Sequence, residues 1–310
     1  MATPAKYSRE KVEGLLLGTF LGDAIGAPFD GSQPDELPLL DLQYVDTNPP
    51  KTYTDDTQMS ISVFEEMHEN GRIDQLSLLQ RFIKRFSPWR GYGGGMLDVI
   101  EKWKDGLDIE TAAKTLYNGS GSFGDGAAMR VAPISAFFSL DEVFDCMEQV
   151  RLCSVLTHTH PYGISGACLQ AFCVELALND VPFEEWLPRL FSFPMESAYK
   201  IKLEAIKRCL EKESSPSDGA RDIGHDADAL DAVPAALFSV LRNTTSFVDA
   251  VLFAVSMGGD TDTIGAMAGA IAGAKWGIGG IPPSWLEHLE NGNEGRDFIR
   301  ELAGKAAYTG

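Results

Sequence analysis

Glycine falls at every fourth position in two apolar stretches of this chain, as Gly14, Gly18 and Gly22 near the start and as Gly265, Gly269 and Gly273 near the end. Residues four apart share a helix face, so each stripe is a strip without side chains that lets other helices approach closely. The pattern is costly, because an interior helix glycine gives up about 1 kcal/mol relative to alanine. Tight helix packing in the core is the simplest account of both stripes. Helical spacing recurs in Met59, Val63, Phe64 and Met67, and in Ile264, Met267, Ala268, Ile271 and Ala272, whereas alternating strand patterns are hard to find. The expected fold is all-α. With no fixed-period repeat and no Ser/Gly/Pro linker, residues 1–310 are expected to form one domain.

A chain of 310 residues buries enough surface to fold without staples. Cys146, Cys153, Cys168, Cys173 and Cys209 contain no C-x-x-C pair and lie on apolar stretches. They read as core residues of a reducing compartment, which places the protein in the cytoplasm. Lys6, Arg9 and Lys11 precede Leu15-Leu16-Leu17 as in a signal peptide, but Glu10, Glu13 and Asp23 interrupt the pattern. No uninterrupted run reads as a membrane span, and the apolar stretch from Val251 carries Asp260 and Asp262. Against 45 Asp and Glu stand 26 Lys and Arg, a formal charge of −19 that repels nucleic acid and anionic membrane. What it leaves open is cation binding, where acids are placed rather than spread.

Two segments read as long surface loops: 31–53, with Pro34, Pro38, Pro49 and Pro50, and 211–231, with Ser214-Ser215-Pro216-Ser217-Asp218-Gly219 and a run of acids. The second is expected to be solvated. The first leads into an acidic motif and is either a lid or an inert connector.

Tyr53-Thr54-Asp55-Asp56-Thr57 opens the helix whose stripe begins at Met59, with Thr54 placed as N-cap and acids in the first turn. Gly258-Gly259-Asp260-Thr261-Asp262-Thr263 opens the second apolar helix in the same way. One capping oxygen per helix end suffices, whereas these two ends supply four carboxylates and several hydroxyls. If the ends face each other, the charges repel unless cations neutralise them. The donors are all hard oxygens, which selects Mg²⁺, Mn²⁺ or Ca²⁺ over zinc, and two ions bridged by shared carboxylates fit the count. A third acidic element is Gly22-Asp23-Ala24-Ile25-Gly26-Ala27-Pro28-Phe29-Asp30. Inside its apolar run Asp23 needs a partner or a helix end to cap, while Asp30 stands at the start of the 31–53 segment.

The segment from Tyr117 to Arg130 packs Gly119, Gly121, Gly124 and Gly126 ahead of a helical-looking stretch, and backbone N–H groups of such a loop can hold a phosphate or diphosphate. It is neither a Walker A loop nor a dinucleotide fingerprint. Tyr117 and Phe123 flank the glycines and are suited either to stack on a base or to pack in the core. Thr157-His158-Thr159-His160-Pro161 offers two histidines, as phosphate donors or as satisfied core residues.

These motifs together resemble the ADP-ribosylglycohydrolase family, which includes the dinitrogenase reductase-activating glycohydrolases. The matching features are Leu17-Gly18, Leu21-Gly22-Asp23-Ala24-Ile25-Gly26, Thr54-Asp55-Asp56-Thr57, the Gly-Ala-Ala-Met-Arg segment ending at Arg130, and Gly258 to Thr263, in family order over nearly the whole chain. Arg90-Gly91-Tyr92-Gly93, Gly121-Ser122-Phe123-Gly124 and Thr157-His158 look closest to the branch that hydrolyses serine-linked ADP-ribose and poly(ADP-ribose). The resemblance implies a compact orthogonal all-α bundle holding two Mg²⁺ ions, with Mn²⁺ as an alternative. Carried over by position, Thr54, Asp55 and Asp56 hold one ion, Asp260 and Thr263 the other, with Asp262 between them. Ser122, Gly124 and His158 match diphosphate contacts, and Tyr117 and Phe123 match the adenine-stacking aromatics. Asp30 matches the acid/base position, where the family usually has glutamate, and Asp125 stands where the close branch has Asn. The implied activity is release of ADP-ribose from an O- or N-glycosidic linkage to a protein side chain or related acceptor. The alternative is an ADP-ribose-binding protein that has lost turnover through the shorter Asp30. Given the charge, a single ADP-ribose unit is an easier ligand than its polyanionic polymer.

Overall fold

The structure, a computed structural model, describes residues 2–307. Six helices build the core and carry the acidic motifs: α1 (Arg9–Gly26), α2 (Asp55–Asn70), α3 (Pro161–Leu178), α4 (Ala229–Arg242), α5 (Phe247–Ser256) and α6 (Thr261–Trp276). Other helices, up to the 15 residues of Ser197–Glu211, and 3-10 turns connect them, and among the described residues the only strand-like pairing is one isolated bridge between Gly124 and Asp228. The all-α expectation holds.

The two glycine stripes pack against each other. A Cβ built on Gly22 lies 1.9 Å from the carbonyl oxygen of Gly265, one on Gly18 lies 2.3 Å from that of Gly269, and one on Gly14 lies 2.4 Å from that of Gly273. α1 and α6 therefore run antiparallel with their backbones in contact, one glycine pair per turn. The seam ends where Gly26 meets Thr261, whose hydroxyl donates to the Gly26 carbonyl at 2.9 Å. Around this pair α3, α4 and α5 complete the core, and Leu15, Leu17, Phe20 and Leu21 of α1 are fully buried. Cys146, Cys153, Cys173 and Cys209 lie in that core, while Cys168 is partly exposed.

The Arg9–Phe29 and Pro161–Leu178 segments are long and apolar enough to cross a membrane by length and composition, although Asp23 and Glu175 interrupt them, and 83% and 72% of their most apolar 18-residue windows are buried inside the bundle. Two loop expectations need correction. The 211–231 segment is not one solvated loop. Ser215 caps a helix at Pro216–Ile223 through Ser215 Oγ, and Asp228 caps α4 by accepting from the N–H groups of Leu230 and Asp231. Ser-Pro is a helix start as well as a loop signal, and here the helix prevails. Likewise 31–53 contains a short helix, Leu42–Thr47, capped by Asp41.

Glu175 on α3 is fully buried, its Oε1 has no partner, and the Tyr7 hydroxyl approaches its Oε2 at 3.4 Å. Burial pushes its carboxyl up to about 8, so it is neutral at pH 7. Because the folded-state value lies above the unfolded one, stability from this group is fully present below about pH 4 and is lost as pH rises toward 8, by a few kcal/mol at most. Glu175→Gln is expected to flatten that slope. Melting temperatures from pH 5 to 9 should converge with wild type in acid and exceed it in base, and parallel profiles would refute the assignment.

Candidate active site

The seam delivers two helix N-termini to one place. Asp23, next to Gly22 on α1, is fully buried and accepts from the Thr54 N–H at 2.9 Å, the Thr57 N–H at 3.1 Å and the Thr57 hydroxyl at 2.5 Å. It thereby caps α2 from outside, which supplies the partner its burial demands. Burial pushes Asp23 up to about 6 while these donors pull it down. At the other N-terminus Asp260 caps α6, accepting the Thr263 N–H at 3.3 Å, and Asp262 Oδ1 accepts the same N–H at 3.0 Å.

The two acidic motifs meet at Asp56. Its Oδ2 accepts from the Thr54 hydroxyl at 2.9 Å and, across the gap, from the Thr263 hydroxyl at 3.4 Å. Oxygens of Asp30, Asp260 and Asp262 lie within 4.8 Å of one another. Asp30 itself is exposed, and its neighbour Gly31 is fastened to the second motif: the Gly31 N–H donates to the Gly259 carbonyl and the Gly259 N–H to that of Ser32, both at 2.8 Å. Gly259 adopts φ +73°, and a Cβ there would lie 1.9 Å from the His225 carbonyl, so only glycine fits this crossing.

Burial first, then mutual repulsion, raises these acids. Asp55 is pushed up to about 7, with Asp23 the next contributor, and Asp262 up to about 11, with Asp56 next. Asp56 and Asp125 move well above the usual range, and Asp30, exposed but partly desolvated where it faces the cavity, is raised by that desolvation and by Asp260. Two carboxylate oxygens, Asp56 Oδ1 and Asp125 Oδ2, are buried with no partner. Six aspartates crowd one cavity in which the cation is Arg130, and the ligand atoms are all hard oxygens, so the residues fit a magnesium-type ion.

The opposite wall is the glycine-rich loop. Tyr117 and Asn118 hold φ of 50° and 59°, left-handed conformations costing roughly 1–2 kcal/mol per residue, a kind of strain that clusters at functional loops. The Gly124 N–H donates to Ser122 Oγ at 3.2 Å, and the exposed Phe123 ring lies 5.4 Å from that of His160. Buried Arg130 donates to the Gly126 carbonyl at 2.9 Å and to Thr157 Oγ1 at 2.8 Å. Thr157 Oγ1 also meets His158 Nδ1 at 2.7 Å. Arg130 engages one of the two hydroxyl lone pairs, so the Thr157–His158 bond is compatible with either imidazole tautomer, and His158 Nε2 stands beside Gly124 and Gly126. Burial, then the Arg130 charge, pushes His158 down to about 3, so its imidazole is neutral.

Of the residues singled out from sequence, Asp30, Asp55, Asp56, Asp260, Asp262, Thr263, Tyr117, Ser122, Gly124 and His158 line one cavity of about 290 Å³. Thr54 caps α2 behind it, and Phe123 lies just outside. Sequence reasoning missed residues 224–228. There the His225 carbonyl accepts the Asp260 N–H at 3.0 Å, Ala227 lines the cavity, and Asp228 bridges to Gly124, so this stretch ties one wall to the other. The N-cap signature at Asp228 was the available signal. Arg130 and Thr157 were named only as parts of separate motifs, and no spacing signal joined them to each other.

The family model for ADP-ribosylglycohydrolase matches residues 4–309. The chain belongs to the ADP-ribosylglycohydrolase family. It is a hydrolase acting on glycosyl bonds. It is 33% identical to ADP-ribosylhydrolase ARH3 of Gallus gallus, over 96% of this chain and 93% of the relative. It is 28% identical to the ADP-ribosylarginine hydrolase Tri1 of Serratia proteamaculans, over 92% and 77%. The solved structure of an ADP-ribosylglycohydrolase-related protein complex superposes with a TM-score of 0.75 at 24% identity, covering 95% of this chain and 96% of that one, which bears on the fold.

Proposed function

We propose that this ADP-ribosylglycohydrolase is Mg²⁺-dependent, holds two ions, and releases ADP-ribose from an O- or N-glycosidic linkage to a protein side chain. The observation that carries the reading is the shared cavity, with crowded carboxylates, two of their oxygens unpartnered, and a glycine loop with a neutral histidine. Thr54, Asp55 and Asp56 are assigned to one ion, Asp260 and Thr263 to the second, and Asp262 to both. Bound Mg²⁺ supplies Lewis acidity toward water and sugar oxygens. Ser122, Gly124 and His158 are assigned to the diphosphate, and Tyr117 and Phe123 to the adenine. Asp30 gives its proton to the leaving oxygen or nitrogen as the bond to the anomeric carbon breaks, and recovers one from the attacking water.

Peptides carrying serine- or arginine-linked ADP-ribose, incubated with the pure protein, test this. Release is expected with Mg²⁺, is lost in EDTA, and returns with Mg²⁺ or Mn²⁺. No release from either substrate with Mg²⁺ present refutes the reading. Lengthening the acid by one methylene in Asp30→Glu is expected to raise kcat by up to about a hundredfold, with ADP-ribose affinity by calorimetry little changed. If wild type binds ADP-ribose without turnover and this variant gains it, the binding-protein alternative is the correct one.

A further inference from the structure

We infer that Asp125 is a cation ligand of this site, a fifth carboxylate acting beside Asp55, Asp56, Asp260 and Asp262, and the inference rests on the metal-dependent reading above. Asp125 opens the 3-10 turn Asp125–Ala127 on the glycine-loop wall, not on either helix N-terminus. It is 6% exposed and lines the cavity together with Asp260 and Asp262. Its Oδ2 is buried and has no partner.

A buried carboxylate needs both hydrogen bonds and a counter-charge. The neighbours that act on Asp125 are further carboxylates, Asp260 and Asp262. The nearby cation is Arg130, which spends Nη1 on the Gly126 carbonyl and Nη2 on the Cys153 carbonyl and Thr157 Oγ1 and leaves its Nε without a partner, and no hydrogen bond or ion pair joins it to Asp125. A sugar hydroxyl placed here would offer a hydrogen bond but leave the charge uncompensated. A divalent ion supplies what is missing, and Asp260, already at the α6 end of the site, is the residue with which Asp125 would share it. Asp125 follows Gly124 directly, so ligation also ties the phosphate wall to the helix-end wall.

Mn²⁺ titration of the whole protein, with free ion counted by electron paramagnetic resonance, reads the effect without an activity assay. Wild type is expected to bind. Asp125→Asn is expected to weaken binding at least about tenfold, while its melting temperature without ions rises because one repelling carboxylate is gone. Asp125→Ser, smaller and equally neutral, should show the same loss, so that a folding defect in one variant does not decide the matter. Asp125→Glu, which keeps the charge, should recover part of the affinity. Wild-type Mn²⁺ affinity in both neutral variants overturns the assignment of Asp125 alone. Absence of Mn²⁺ binding by wild type overturns it together with the reading on which it rests.

Discussion

Gly22→Val is expected to yield a chain that does not fold. The new Cβ would stand 1.9 Å from the Gly265 carbonyl oxygen, and its nearest neighbours are all backbone atoms of α6. Overpacked cores usually lose about 1–3 kcal/mol because side chains shift out of the way. No side chain is available to shift here, so α1 and α6 must separate. Separation also opens the contacts of Gly18 with Gly269 and of Gly14 with Gly273, and with them the burial of Leu17 and Leu21. A loss beyond about 5 kcal/mol exceeds the margin of many domains. Gly22→Ala should fold with a clearly lowered melting temperature despite its better helix propensity, and Gly292→Ala, where a Cβ meets nothing within 4 Å, should match wild type. Circular dichroism and thermal melting check the series. A valine variant melting within a few degrees of wild type would contradict the seam.

The same seam explains which parts of the site were legible in the sequence. Glycine every fourth residue announced two helices built for close approach, though not that they approach each other, because periodicity specifies a face and not its partner. The Asp-Thr clusters were readable since carboxylates in excess of capping needs are rare at helix starts. Their meeting at Asp56 was conditional until the antiparallel register, ending at Gly26 against Thr261, brought α2 and α6 together. Asp23 was readable as a buried charge wanting a partner, and the N-terminus of α2 answers that want. Residues 224–228 were misread because their composition is polar and acidic, the usual signature of a solvated loop. What holds them at the site is backbone pairing, such as His225 to Asp260, and backbone pairing leaves no trace in side-chain chemistry. The relay from Arg130 through Thr157 to His158 was hidden for a related reason: 27 positions separate its first two members, and only the fold makes them neighbours.

Asp262→Asn is expected to reduce hydrolysis at least about a thousandfold, near 4 kcal/mol of transition-state stabilisation, while raising the melting temperature of the ion-free protein. Both effects have one origin. Asp262 faces Asp56 and Asp260, and burial followed by their repulsion pushes its carboxyl up to about 11. Since the folded-state value lies above the unfolded one, the ion-free protein loses stability from this group as pH rises, and asparagine removes that loss. The difference between variant and wild type should therefore widen from pH 6 to pH 9 without divalent ions. Added Mg²⁺ should invert the order, because a ligand that binds only the folded state adds about 2.7 kcal/mol at a hundred times its Kd, and the variant has lost the carboxylate assigned to both ions. Thermal melts with and without Mg²⁺, beside an ADP-ribose release assay, read all three effects. An Asp262→Asn protein that keeps the full Mg²⁺-induced shift would show that the carboxylate sits in this cluster for some reason other than holding cations.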